Sequence, residues 1–336
     1  MIDDPASRTG EFERIARLVE VLGGAGSVSG SAIGDDAAVV PGTDGRWVWT
    51  VDAHLEGTHF RFDWLDPEEV GHRALAAAVS DLAAMAADPV GALVSVAVAL
   101  EGVERLERVY AGMAALAGRI GCPVLGGDIA RAEGPLHLVT TALGRCASGS
   151  PIRRSGARPG DRVWLTGELG APAAALVWLS REAAPLARDD PARRRLARPH
   201  PRVAEASWLL SRIPISAAID LSDGLSGDAG HVAARSGVCL RLEPEAIPIH
   251  PGARRLAKAL GEDPLEWALH GGEEFELLVC AAPGTLELLA GPFAERFGLP
   301  LTRIGEVAEG EGVRVVDEKG ERRLEPRSWD HFASRR

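Results

Sequence analysis

The chain has 336 residues, a hydrophobic fraction of 46%, a charged fraction of 25% and a formal net charge of −11. That is long enough for two ordinary cores, and the mix is globular rather than disordered. The acidic balance and the lack of a basic stripe exclude a nucleic-acid surface, and with Lys258 and Lys319 as the only lysines there is neither a Gly-x-x-x-x-Gly-Lys-Ser/Thr phosphate loop nor the strand lysine of the protein kinases.

In chain order, the start MIDDPASRTG lacks an apolar signal core. Phe12, Ile15, Leu18, Val19 and Leu22 form a helical stripe over Glu11 to Leu22. Trp47 to Val51 reads as a short strand that delivers Asp52 at its end. Asp66-Pro67-Glu68-Glu69 is a helix start: a capping Asp, Pro in the first turn, and acids near the positive helix end. That helix runs through the alanines to about Ala87 and carries Asp81. The apolar stretch Leu82 to Leu100 is interrupted by Asp88, Pro89 and Gly91, so a membrane span is not expected. Ala92 to Leu100 predicts a strand, Val103 to Ile120 a helix and Leu136 to Arg145 a strand. These elements make a first α/β domain, residues 1–150.

The turn-forming run Ser155 to Asp161 marks a linker into a second α/β domain, residues 151–336. There, strands are predicted over Arg162 to Thr166, Ala217 to Asp220, Phe275 to Cys280, 301–307 and 312–316, with helices over Leu225 to Ser236 and within Ala282 to Phe297. Arg193-Arg194-Arg195 reads as a solvated loop or helix end. Cys122, Cys146, Cys239 and Cys280 are scattered among apolar residues with no Cys-x-x-Cys, as expected of small core residues in a reduced cytoplasm.

The chemistry concentrates in acidic segments at element ends: GDDAAVV (34–40), Asp52, VSDLAAMAADP (79–89), VLGGDIAR (124–131) and AIDLSDGLSGDAGH (218–231). Singly, Asp35, Asp36 or Asp128 reads as a turn residue. An unpaired Asp81 among Ala77, Ala78, Leu82 and Met85 would be costly, and Asp220, Ser222, Asp223 and Asp228 are too dense for caps alone. Jointly they suit hard cations such as Mg²⁺, which serve where a protein holds phosphates. Two unit charges ~5 Å apart repel by roughly 3 kcal/mol at an effective dielectric of ~20, so a nucleoside triphosphate needs metal to enter such a site.

The ordered set GEFERIARL (10–18), GDDAAVV, VDAHLEGTHF (51–60), VGHRALAAAVSDLAAMAADP (70–89), GGDIAR (126–131), RRSGARPGDRVWLTGELG (153–170), PHPRV (199–203), AIDLSDGLSGDAGH, HGGEEFELL (270–278), RIGEV (303–307) and SWDHF (328–332) resembles the thiamine-monophosphate kinase family of the aminoimidazole ribonucleotide synthetase-like superfamily, nearly end to end. The resemblance implies a two-domain α/β (α+β) fold: an N-terminal mixed sheet with helices that pairs into a barrel across a homodimer, then a C-terminal α/β domain. It implies ATP and several Mg²⁺ ions as cofactors, thiamine monophosphate as acceptor, and direct in-line transfer to give thiamine diphosphate, in the cytoplasm and without nucleic acid or membrane. It implies metal ligation by Asp36, Thr50, Val51, Asp52, Asp81, Asp128, Asp220 and Asp223. Asp128 and Asp220 would be catalytic. Gly127, Asp128, Arg154 and Ser222 would contact the nucleotide, and His59, Glu273, Glu274 and Trp329 the acceptor.

The departures fall mostly on the acceptor side. Val51 stands where the family has a hydroxyl, so only its carbonyl can serve a metal. Ile129 replaces the Thr after Gly-Gly-Asp, Ala86 the Gly after Met85, Glu274 an Asp and Phe275 a Tyr. Two alternatives stay open at this point: an ATP-dependent enzyme of the superfamily with another acceptor, and an inactive nucleotide- or thiamine-phosphate-binding protein.

Overall fold

The computed structural model describes residues 35–43, 45–146, 149–181, 185–327 and 329. The helix expected over residues 11–22, Gly34 and all of SWDHF but Trp329 lie outside them.

Two mixed sheets follow one another along the chain. The first has the order β1-β2-β5-β3-β4, from β1 (Ala38–Gly42), β2 (Gly45–Leu55), β3 (Asp88–Val98), β4 (Val124–Arg131) and β5 (His137–Cys146). Among the described residues of this sheet, only β3 and β4 pair in parallel. Helices α1 (Pro67–Ala84) and α2 (Leu106–Ile120) cover one face, where Val48, Val94, Val96, Leu138 and Ala142 are buried with Val79, Leu82, Val109 and Leu116. The α1 start is as predicted: Asp66 caps it in a reciprocal box with Glu69, and Pro67 takes the first turn.

Helix α1 stops at Ala84, three residues before the expected end, and Ala86 takes a φ of +50°. This left-handed position follows the helix and favours glycine. The residue before it, Met85, closes the last turn by donating its N–H to Asp81.

The second sheet has the order β12-β11-β8-β10-β6-β9-β7. Its strands are β6 (Arg162–Thr166), β7 (Ala217–Asp220), β8 (Cys239–Leu242), β9 (Leu277–Ala281), β10 (Leu301–Ala308), β11 (Gly312–Asp317) and β12 (Gly320–Arg323). The helices of this half are α3 (Ala171–Ser180), α4 (Pro191–Ala197), α5 (Val203–Leu210), α6 (Leu225–Ser236), α7 (Pro251–Leu260), α8 (Pro264–His270) and α9 (Ala290–Phe297). Helix α9 is shorter than the span expected from Ala282.

Three sequence expectations need correction. Arg193-Arg194-Arg195 does fall near a helix end, in α4, but only Arg194 is exposed: Arg193 is buried, donating to Glu69 at 2.8 Å and to the Trp64 carbonyl at 3.0 Å, while Arg195 donates to Glu276 at 2.7 Å. Asp52 is not at a strand end but three residues inside β2, paired with Thr140. The Gly-Gly-Asp run is no turn; it lies within β4. Gly127 is required there for close approach, since a Cβ on it would sit 1.9 Å from the Val94 carbonyl oxygen.

Candidate functional site

Helix α1 crosses beneath the end of β7, and this crossing assembles the acidic site. Asp81 comes from the last turn of α1, Asp220 from the last position of β7, and Asp36 from the segment entering β1. Carboxylate oxygens of these three all lie within 4.8 Å of one another. Thr50, on the helix-facing side of β2, donates its hydroxyl to Asp81, and Ser80 donates to Asp220 at 2.6 Å. Arg154 donates to Asp36 at 2.8 Å, and Arg153 to Asp35 at 2.6 Å.

The electrostatics are unfavourable for three free carboxylates. Burial, then the neighbouring Asp220 and Asp36, pushes Asp81 well above the usual carboxylate range. Burial, then Asp36, pushes Asp220 up to about 8. The second oxygen of Asp36 is buried with no hydrogen-bond partner among the described residues. An orphaned oxygen inside a ring of mutually repelling hard donors fits a divalent cation such as Mg²⁺.

Asp228, also buried, serves the backbone instead. It accepts from the N–H of Asp223 at 3.2 Å and of Gly224 at 3.0 Å, shaping the loop before α6. Burial, then Asp223 and Asp220, raises it well above the usual range.

Beside this group opens a cleft of about 460 Å³. Asp52, Ser222 and Asp223 stand at the acidic end. His54, His59, Phe60, Arg73, Glu273, Phe275 and Trp329 line the rest. His59 accepts the Leu55 N–H at 3.0 Å on Nδ1 and stacks on His54 with centroids 5.4 Å apart. The N–H of Trp329 donates to the Asp223 carbonyl at 3.2 Å, which ties residue 329 to the acidic loop.

The structure thus brings together Asp36, Thr50, Asp81, Asp220 and Arg154, with Asp52, Ser222, Asp223, His59, Glu273 and Trp329 around the adjoining cleft. It does not bring in every expected residue. Asp128 pairs in register with Ser95 on β3, one residue out of phase with the Val94 and Asp52 row, so it faces away from α1. Gly127 serves strand pairing. The Val51 side chain points to the same outer face as Leu93, its partner across β5. Glu274 turns into the protein, where it accepts the Gly170 N–H; burial pushes it up to about 8 despite Arg195 nearby.

Sequence reasoning missed His54 and Arg73, although each carried a signal. Asp52 and His54 are two apart on one strand and share a face. Arg73, Ala77 and Asp81 recur at four-residue steps on one helix face.

Comparison with known proteins agrees with this layout. The family model for the AIR synthase related protein N-terminal domain matches residues 34–146, and that for its C-terminal domain matches residues 158–318. The thiamine-monophosphate kinase of Rhodopirellula baltica is 35% identical over 301 residues, covering 86% of this chain and 88% of the relative. That of Bacillus subtilis is 34% identical over 307 residues, covering 89% and 93%. A solved structure of AaThiL complexed with AMPPCP and TMP superposes with a TM-score of 0.82 at 32% identity, covering 96% of this chain and 97% of the other. With both domain models matched and relatives of this identity spanning most of its length, the chain belongs to the thiamine-monophosphate kinases of the AIR synthase related family.

Proposed function

We propose that the protein transfers the γ-phosphoryl group of ATP to thiamine monophosphate, giving thiamine diphosphate and ADP. The observation that carries this is the Asp36, Asp81 and Asp220 group, with Arg154 on it, opening beside a cleft lined by aromatic rings and one acidic loop. The neighbour bound to AMPPCP and TMP supports both the nucleotide and the acceptor. The shared function of the 34–35% identical relatives favours this acceptor over others of the superfamily, and favours turnover over binding alone.

In this scheme Asp36, Asp81 and Asp220 hold Mg²⁺, with Thr50 and Asp52 beside them. When bound, the cation neutralises phosphate oxygens and stabilises charge on the transferred group. Arg154 fixes Asp36 and presents a planar guanidinium to the nucleotide phosphates, and Ser222 sits where β7 meets the cleft. His59, Trp329 and Glu273 hold the acceptor. A flat indole suits its rings and a carboxylate its cationic thiazolium. The terminal oxygen of the acceptor phosphate attacks the γ-phosphorus directly, and ADP leaves on the opposite side, with no group of the protein bonded to phosphorus. The protein supplies alignment and preorganised charge.

The division into two domains near residue 150 belongs to the same proposal, supported by the two sheets on either side of it. So does a homodimer. On the sheet face opposite α1, Trp49, Val51 and Leu93 are 54%, 65% and 51% exposed, an apolar surface that a second copy would cover. Asp128 shares that face, so any part it takes in the site runs through the assembly. A cytoplasmic setting is supported by four unpaired, buried cysteines. Among the described residues no helix is long and apolar enough to cross a membrane.

The test is purified protein with ATP, Mg²⁺ and thiamine monophosphate, with thiamine diphosphate resolved by chromatography. Product matching ADP one to one is expected. ADP release without diphosphate, or no turnover across metals and pH, would overturn the proposal.

A further inference from the structure

Arg73 is the largest fully buried side chain among the described residues, and its surroundings do not read as core packing alone. It projects from the second turn of α1 into the floor of the cleft. One guanidinium nitrogen donates to the Leu196 carbonyl at the end of α4, and another donates to the Glu273 carboxylate. Its Nε is buried with no partner among the described residues. A buried cation needs a counter-charge. The one it has is not a core residue: the Arg73 side chain is 1% exposed, whereas that of Glu273 is 23% exposed and lines the cleft.

Glu273 is itself held in an unusual way. Its φ is +68°, a backbone state that a residue with a Cβ avoids. Its N–H donates to the Ser222 carbonyl at 2.7 Å, which anchors the loop to the end of β7. The backbone is therefore pinned from the second sheet and the carboxylate from α1 on the first. Arg73 and Glu273 lie 200 residues apart in the chain. Neither alone would fix where the negative charge sits. Asp52 and Asp223 stand at the acidic end, and Arg61 on the cleft wall is already paired with Asp63 at 2.9 Å. Glu273 is thus the cleft carboxylate that a guanidinium reaching across from the other sheet holds in place.

We propose that Arg73 is a positioning residue for acceptor selection: by holding Glu273 across the junction of the two sheets, it sets a fixed negative charge against the cationic ring of the acceptor. This rests on the function proposed above. The Arg73 side chain is only 1% exposed and acts on the acceptor through Glu273. Only acceptor binding should depend on Arg73, because the nucleotide end is built from Asp36, Asp81, Asp220 and Arg154.

The test compares Arg73→Met, Arg73→Lys, Glu273→Gln and the Arg73→Met/Glu273→Gln double variant. Each is assayed with thiamine monophosphate and, in direct binding, with its deaza analogue, in which an uncharged thiophene replaces the thiazolium. Arg73→Met should raise KM for thiamine monophosphate about tenfold, the scale for losing one charge-assisted hydrogen bond, with KM for ATP changed less than twofold. Arg73→Lys should recover part of that loss. The preference for the cationic over the neutral ligand should fall alike in Arg73→Met, Glu273→Gln and the double variant, since the two residues act as one unit. Equal rises in both KM values, a fall in kcat alone, or additive losses in the double variant would overturn the proposal. If Arg73→Met does not fold, the Glu273→Gln comparison decides it: unchanged preference between the two ligands refutes it. Wild-type protein inactive on thiamine monophosphate would instead refute the proposed function, a separable result.

Discussion

Replacing Asp220 with Asn should stabilise the metal-free protein while sharply lowering its activity. Asp220 is buried at the end of β7, and burial with Asp36 nearby lifts it from 3.8 to about 8. The sign follows from linkage. A carboxyl whose folded value lies above its unfolded one favours folding below about 4, and that advantage is lost as the pH rises towards 8. The gap of about four pH units sets a ceiling near 6 kcal/mol. The carboxylates titrate as a cluster, so removing one charge should recover about 1–3 kcal/mol of it at pH 8.5. Asn keeps the volume and still accepts from Ser80, and its amide can donate to Asp36, whose second oxygen lacks a partner among the described residues. In EDTA at pH 8.5 the variant should melt about 2–12 °C higher, at about 2–4 °C per kcal/mol; at pH 5 the gain should shrink. Mg²⁺ should raise wild type more than the variant, by about 2.7 kcal/mol at 100 times its dissociation constant. Turnover should fall by roughly 10²-fold or more, the scale for losing one preorganised charge-stabilising group. A variant that melts lower than wild type in EDTA at pH 8.5 would show that the Asp220 charge does not strain the metal-free fold.

Three further outcomes are expected. Ala86→Gly should raise stability by about 0.5–1 kcal/mol in thermal melts, because Ala86 holds a φ of +50° after α1; a loss would mean that its methyl packing outweighs the backbone strain. Glu274→Gln should flatten the pH dependence of stability between about pH 5 and 8. Wild-type Glu274 favours folding below its ordinary 4.5 and loses that advantage as pH rises to about 8, with a ceiling of roughly 5 kcal/mol; parallel melting curves for the two proteins across that range would contradict this. Trp49→Asp, on the open face of the first sheet, should lower the mass measured by light scattering to that of one chain without lowering the helix content; an unchanged mass would place the dimer contact elsewhere.

Much of the fold was legible because its signals are local. Asp66-Pro67-Glu68-Glu69 announces α1 through caps and helix-end charge, and the apolar runs at Arg162–Thr166 and Ala217–Asp220 match β6 and β7 residue for residue. The acidic trio was legible as residue types at element ends. What failed was any feature set by partners far along the chain. Gly126-Gly127-Asp128 has turn composition, yet its backbone is drawn into a parallel pair with β3 that only tertiary contact creates. That pairing also decides the face Asp128 takes. Glu274 reads like Glu273 as a member of an acidic loop, and Glu276 only as part of the strand expected over Phe275 to Cys280. Instead, Glu276 is buried between Arg202, donating at 2.8 Å, and Thr166, donating at 2.7 Å, as a structural network rather than a binding group. Burial raises Glu276, whereas Arg202, Arg195 and Thr166 lower it; these partners prevail and hold it below its ordinary value.

If Asp36, Asp81 and Asp220 together hold a divalent cation, Mn²⁺ titration followed by electron paramagnetic resonance, in the presence of a non-hydrolysable ATP analogue, will show it without relying on turnover. Wild-type protein should take up Mn²⁺ in a saturable manner, Mg²⁺ should displace it, and Asn at any of the three positions should weaken uptake at least tenfold. Asn at Asp317, a carboxylate far along the chain on β11, should change nothing. Equal uptake by wild type and all three site variants would mean that these aspartates do not bind the ion.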